Sequence, residues 1–263
     1  MGIVKNKIKN KHGDTETRSF GGEEREILNF SFILRDSVVF LNFTKPLTLR
    51  GENEMAKIKT LVFSGGEIHD YKGCGQAAME ALSEREEFDL TYVENDLSVL
   101  VAPNLDSYDL IVFYYTVGSI TDAQKNGLLN YVASGKGYAG FHSAADSFRD
   151  CPEYRAMVGG HFITHPSYRQ FQVSIVDGDH PITKDMNECY VTDEQYILDY
   201  DPRVHVLASA LWKGKAMPVA WTKPWGKGRV FYLSLGHNAD SAKDKNFKVL
   251  LQRGALWAGT PNG

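Results

Sequence analysis

The run Leu110-Ile111-Val112-Phe113-Tyr114-Tyr115 constrains the fold more than any other stretch of this chain. An apolar run without alternation does not suit a sheet with one wet face. It fits a strand buried on both faces, as in parallel sheets whose crossover helices cover both sides. Neighbouring segments supply such helices. Ile58 to Phe63 reads as a strand followed by Ser64-Gly65-Gly66, Gln76 to Arg85 as a helix, and Phe88 to Glu94 as the next strand. Thr121-Asp122-Ala123-Gln124 has capping-box spacing and opens a helix with Leu128, Leu129 and Val132 on one face, ending near Gly135. Strands and helices alternating in this way predict a doubly wound α/β sheet. Further strands are expected at Phe171 to Val176, Val204 to Leu211, Pro218 to Thr222 and Arg229 to Leu235, and a last helix from Asn246 to Trp257. Trp225-Gly226-Lys227-Gly228 reads as a turn joining the last two strands into a β-hairpin near the C-terminus.

Residues 1–54 follow no such pattern, and the domain is assigned to residues 55–263. The segment opens with Lys5, Lys7, Lys9 and Lys11, with His12 read as disordered, and continues through an aperiodic apolar stretch from Ile27 to Phe43. It is read as an N-terminal extension, disordered or arising from a misplaced start, because Arg50-Gly51-Glu52-Asn53-Glu54 back-translates to a purine-rich stretch just ahead of Met55. The alternative is that Ile27 to Phe43 forms a hairpin or edge strand.

Bulk composition narrows the function classes. The net charge of −4 and the scattered lysines and arginines give no electrostatic footprint for nucleic acid. Cys74, Cys151 and Cys189 are an odd count without Cys-x-x-Cys spacing, which argues against a disulfide framework or a cysteine-rich zinc site and for a reducing cytoplasm. No apolar run approaches the ~18 residues of a membrane span.

The chemistry-bearing residues cluster at predicted strand ends. In Gly137-Tyr138-Ala139-Gly140-Phe141-His142-Ser143-Ala144, His142 follows a short apolar strand, with a helix expected after it. It stands where related arrangements carry a serine or cysteine nucleophile. His237 also follows a strand, and His69 and Tyr71 follow the first one. Asp193-Glu194-Gln195-Tyr196 supplies carboxylates that can hold an imidazole's tautomer and raise its basicity. His161 and His165 are four apart, a spacing that aligns two imidazoles for a metal if the segment is helical, although Gly160 and Pro166 oppose a continuous helix. If a divalent ion binds, its expected ligands are His161, His165 or His142 with Glu194 or water, and zinc is favoured over magnesium. No other cofactor is expected. Ser64-Gly65-Gly66-Glu67-Ile68-His69 lacks the three-glycine dinucleotide spacing, which excludes a nicotinamide cofactor on that basis. His180 before Pro181 reads as a structural turn and His205 as a strand-surface residue.

Taken in order, several motifs resemble the ThuA family, named for trehalose utilisation. They are Gly140-Phe141-His142-Ser143-Ala144, Gly159-Gly160-His161-Phe162 with His165-Pro166, His180-Pro181-Ile182-Thr183, Asp193-Glu194-Gln195-Tyr196, Pro218-Val219-Ala220-Trp221, Gly226-Lys227-Gly228-Arg229-Val230-Phe231-Tyr232 and Leu235-Gly236-His237. The resemblance runs from about Lys57 to Gly259. It implies a flavodoxin-like sheet of the class I glutamine amidotransferase-like type, with His142 in place of the amidotransferase cysteine, and a role in bacterial carbohydrate catabolism. The expected partner is a small-molecule carbohydrate, with neither nucleic acid nor membrane; homo-oligomerisation is left open. On this reading His142, Glu194 and His237 are catalytic and His69, Tyr71, His161, Asp193 and Tyr196 bind substrate. Acid/base chemistry on a sugar, disaccharide or keto-sugar is expected, without glutaminase activity. The alternative is a non-catalytic sugar-binding or regulatory protein on the same scaffold.

Overall fold

The structure, a computed structural model, describes residues 17–20, 23–34, 37–44 and 56–261. The chain divides into two units, Met1–Glu54 and Met55–Gly263. In the first, β1 (Thr17–Phe20), β2 (Glu23–Leu34) and β3 (Ser37–Thr44) pair as an antiparallel sheet, so the aperiodic stretch from Ile27 to Phe43 lies largely in paired strands. The lysine run, His12 and Arg50 to Met55 lie outside the described residues.

The second unit is built on a nine-stranded mixed sheet. Its parallel part comprises β4 (Ile58–Gly66), β5 (Phe88–Glu94), β6 (Leu110–Thr116), β7 (Gly137–Phe141) and β14 (Gly228–Leu233), ordered β5-β4-β6-β7-β14. The chain leaves β4 in one direction to reach β5 and in the other to reach β6. Side chains at the carboxyl ends flanking that switch point face a common crevice.

Strand alternation explains the two-sided core. Val62, Val112 and Tyr114 join one apolar cluster with α1 (Tyr71–Ser83) and α5 (Lys245–Gly259). Leu61, Phe63, Ile111 and Phe113 join another with α2 (Asp122–Ala133) and α3 (Pro152–Val158). That is why Leu110 to Tyr115 tolerates no polar residue.

Beyond β14 the sheet continues antiparallel through β13 (Lys215–Trp225), β12 (His205–Trp212), β9 (Arg169–Ile175) and β10 (Cys189–Asp193). β13 and β14 pair as a hairpin with Trp225 opposite Gly228. A separate two-stranded ladder joins β8 (Gly160–Thr164) to β11 (Ile197–Tyr200). The segment carrying His161 is therefore a strand, not a helix, and the helix expected after His142 is a 3-10 turn, His142–Asp146. A last short helix, α4 (Ala239–Ala242), precedes α5.

Helix α1 starts five residues before the Gln76 expected from sequence. Asp70 caps it by accepting from the Gly73 N–H at 3.0 Å, while Gly73 and Gly75 weaken the helical pattern of its first turns.

Candidate functional site

The loops after β4, β7, β10 and β14 bring four side chains together. One ligand atom from each of His69, His142, Glu194 and His237 lies within 4.8 Å of the others. Convergence begins in the backbone. Gly66 closes β4 with φ +101°, and a Cβ there would stand 2.5 Å from the Thr116 amide, so only glycine lets the chain leave the strand towards His69. His142 itself sits at φ 42°, a strained left-handed position for a residue with a Cβ, which turns its ring back over the strand end. Its carbonyl is held by the Tyr232 hydroxyl at 2.7 Å.

The rings are then fixed one by one. His142 Nδ1 lies 3.0 Å from the Ser234 carbonyl. A carbonyl only accepts, so Nδ1 carries the proton and Nε2 presents its lone pair to the cluster. Tyr196 packs on the His142 ring at a centroid distance of 4.1 Å, and the His142 side chain has 0% exposure. His69 Nδ1 lies 2.8 Å from Thr116 Oγ1, and its ring stands edge-on to His142 and His237 at 5.1 and 5.0 Å.

Asp193 organises the rest. Fully buried at the end of β10, its carboxylate accepts from the backbone N–H groups of Gly236 at 2.7 Å, His237 at 3.2 Å and Glu194 at 2.8 Å. One side chain thus ties the loop carrying His237 to the loop carrying Glu194. Burial pushes the Asp193 carboxyl up, opposed by His142 and by these three donors.

Glu194 is the hub. Its Oε2 lies 3.0 Å from His237 Nδ1 and 3.6 Å from His142 Nε2, and its Oε1 lies 3.4 Å from His165 Nε2. Burial raises its pKa, but the contacts with His142 and His237 outweigh that and hold the carboxyl well below the usual range. The same carboxylate raises His237. His69 is lowered to about 3, first by burial and then by the neighbouring imidazoles, so it is neutral at physiological pH. At 3.0 Å the His237–Glu194 pair is close but off the N–H axis, and His237 Nδ1, like His142 Nε2, is shielded from solvent without a hydrogen bond.

Most residues singled out from sequence meet here, and two do not. His165 reaches Glu194, whereas His161 on β8 points to Asp199 at 4.0 Å. Tyr71, the first residue of α1, packs against the core instead. His205 pairs with Asp177 at 2.8 Å on the exposed face of β12. Sequence reasoning missed Thr116, Ser234 and Tyr168. Tyr168, two residues after Pro166, is 41% exposed and lies 5.7 Å from His237 between ring centroids, on the solvent side of the cluster. Cys74 lies close by, its thiol directed at the carbonyls of Gly236 and His237, but burial pushes it up to about 12. A cavity of about 760 Å³ at the opposite rim, lined by Arg203, Lys223, Arg229 and Trp257 among others, contains none of the cluster residues.

The sequence profile of the ThuA family, described as trehalose utilisation, matches residues 59–258. This chain belongs to the ThuA family. No curated protein matches it. Among solved structures it is similar to a ThuA-like protein from Parabacteroides merdae, at 22% identity and TM-score 0.71 over 78% of this chain and 90% of that one. It is also similar to a ThuA-like protein from Bacteroides uniformis, at 20% identity and TM-score 0.66 over 80% and 94%. A cytoplasmic protein of Salmonella typhimurium follows, at 16% identity and TM-score 0.57 over 76% and 99%. At these identities the likeness concerns the fold. Among the described residues no helix is long and apolar enough to cross a membrane.

Proposed function

We propose that this ThuA protein is a cytoplasmic enzyme of bacterial carbohydrate catabolism, built on a class I glutamine amidotransferase-like scaffold, that moves protons within a sugar, disaccharide or keto-sugar. One observation carries the reading: a nearly buried carboxylate, Glu194, stands within 3.0 to 3.6 Å of three imidazoles at the carboxyl rim of the sheet. Sugar isomerisation or elimination beside a carbonyl needs a base and an acid that work near neutral pH, and a carboxylate-oriented imidazole provides both. Groups spread over separate, distant loops would not act on one reacting centre; these converge.

Roles follow from exposure. With Nδ1 turned to Glu194, His237 leaves Nε2 as the working nitrogen, and at 26% side-chain exposure it is open to a ligand. Glu194 orients that ring and stabilises its protonated form as it accepts a proton from substrate. His142, fully buried, closes the inner side of the cluster, and Tyr168 offers an aromatic face to a sugar ring. Asp193 and Tyr196 position these groups rather than contact the substrate.

A panel of disaccharides and their oxidised keto forms tests the reading against wild type and His142→Ala. Turnover abolished by the substitution supports it. Calorimetric sugar binding without turnover on any panel member would replace it with a non-catalytic binding protein.

A further inference from the structure

Three features of the cluster concern what sits at its centre. The His142 tautomer is set by the Ser234 carbonyl, which leaves the Nε2 lone pair facing Glu194 Oε2 across 3.6 Å. Two lone pairs so opposed repel unless a proton or a metal ion lies between them. His142 Nε2 is also shielded from solvent and without a hydrogen-bond partner, on a side chain of 0% exposure, and His237 Nδ1, 3.0 Å from the same oxygen, makes no aligned hydrogen bond to it. Buried polar atoms without partners are rare and call for a missing one. Finally, the far nitrogen of His142 is held by a backbone carbonyl and that of His69 by the Thr116 hydroxyl, the outer support that metal-ligating histidines use to fix ring and tautomer.

We propose that His69, His142, His237 and Glu194 bind one divalent first-row transition ion, with zinc the first choice. Three imidazoles and one carboxylate suit zinc and its neighbours, whereas magnesium prefers oxygen ligands. Ligands at about 2.1 Å from an ion stand roughly 3.4 Å apart in a tetrahedron, so atoms already within 4.8 Å of one another need draw in only modestly. This set differs from the His161 and His165 pair suggested by sequence spacing, because β8 turns His161 towards Asp199. His165 remains outside the shell, on the other oxygen of Glu194, where it holds the carboxylate. The inference rests on the reading of this cluster as the reaction centre only for what the ion acts on, a sugar oxygen, with His237 then serving as a ligand in place of the base; occupancy does not depend on it.

The test is zinc titration of the full chain, stripped with chelator and purified without an affinity tag, followed by calorimetry and by thermal unfolding. One equivalent is expected to bind and raise the melting temperature. His142→Asn, which keeps a side chain tolerant of the left-handed backbone, and His237→Gln should each weaken binding at least about 100-fold, and Thr116→Val about 10-fold. His205→Ala, on the exposed face of β12, should leave it unchanged. Cobalt in place of zinc should give visible bands that vanish in His142→Asn, a readout that a folding defect alone does not mimic when circular dichroism is native. Absence of binding, or one equivalent retained in both His142→Asn and His237→Gln, overturns the site. Zinc bound as expected but no sugar turned over leaves the site standing and removes the enzymatic reading; turnover by metal-free protein that binds no zinc does the reverse.

Discussion

Replacing Asp193 with asparagine isolates the residue that fastens the cluster together. The carboxylate accepts three backbone N–H groups, two at Oδ1 and one at Oδ2. An amide offers one oxygen. In either orientation its NH₂ faces at least one backbone donor, so a charge-assisted bond, worth about 1.5–3 kcal/mol, is lost and a buried N–H is left unpaired at about 1–3 kcal/mol. Removing the cost of burying the charge, visible in the raised pKa of Asp193, offsets part of this. The expected net loss is about 2–4 kcal/mol, corresponding to a melting temperature lower by roughly 4–16 °C for a unit of this size. Urea denaturation with an unchanged m-value measures it. The loop holding Gly236 cannot relax freely to compensate, because Gly236 has φ +104° and a Cβ there would stand 2.7 Å from Phe247. A stability change below about 0.5 kcal/mol would refute the argument that Asp193 anchors both loops.

Two further outcomes follow from the same geometry. The metal-free protein should lose stability as pH falls from about 6.5 towards 3. His69 binds its proton near 6.5 when unfolded but only at about 3 when folded, so the unfolded state holds the extra proton in between. Glu194 acts in the same sense, since a depressed carboxyl contributes above its unfolded pKa and that contribution is lost as pH falls through the folded one. His237 acts oppositely, its contribution complete below about 6.5 and lost as pH rises through its raised value. Urea midpoints at pH 7, 5 and 4 report the acid loss, and His69→Gln should flatten it; equal slopes in both proteins would contradict the assignment. Glutamine-dependent ammonia release should be absent, because the elbow carries His142 and the nearby Cys74 thiol is pushed up to about 12 by burial. Release blocked by a cysteine alkylator would show otherwise.

Much of this site is legible in the residue order alone. His142 and His237 can be placed because each follows a short, mostly apolar run, and a buried parallel strand delivers the residues after it to its carboxyl rim. His69 follows from the same logic. Glu194 is legible as a carboxylate partner for an imidazole, but which rings it meets is not, because β10 reaches the site only through antiparallel pairing with β9, and that register depends on contacts distant in sequence. Spacing misleads at His161 and His165. Residues four apart share a face in a helix, but β8 forms instead because Gly160 to Thr164 pairs with Ile197 to Tyr200. Thr116 and Ser234 carry no signal at all: one acts through a hydroxyl, the other through a backbone carbonyl, and neither role leaves a mark on residue type.

The central claim is that Glu194, among its imidazoles, is the centre of a reaction on a carbohydrate. Steady-state kinetics of wild type and Glu194→Gln on the best substrate of the sugar panel test it most directly. Glutamine keeps the shape and removes the charge, so kcat/KM should fall at least about 100-fold, the usual weight of a general acid/base group, while the fold is retained. A Glu194→Gln protein that turns over the same sugar at the wild-type rate would contradict the account.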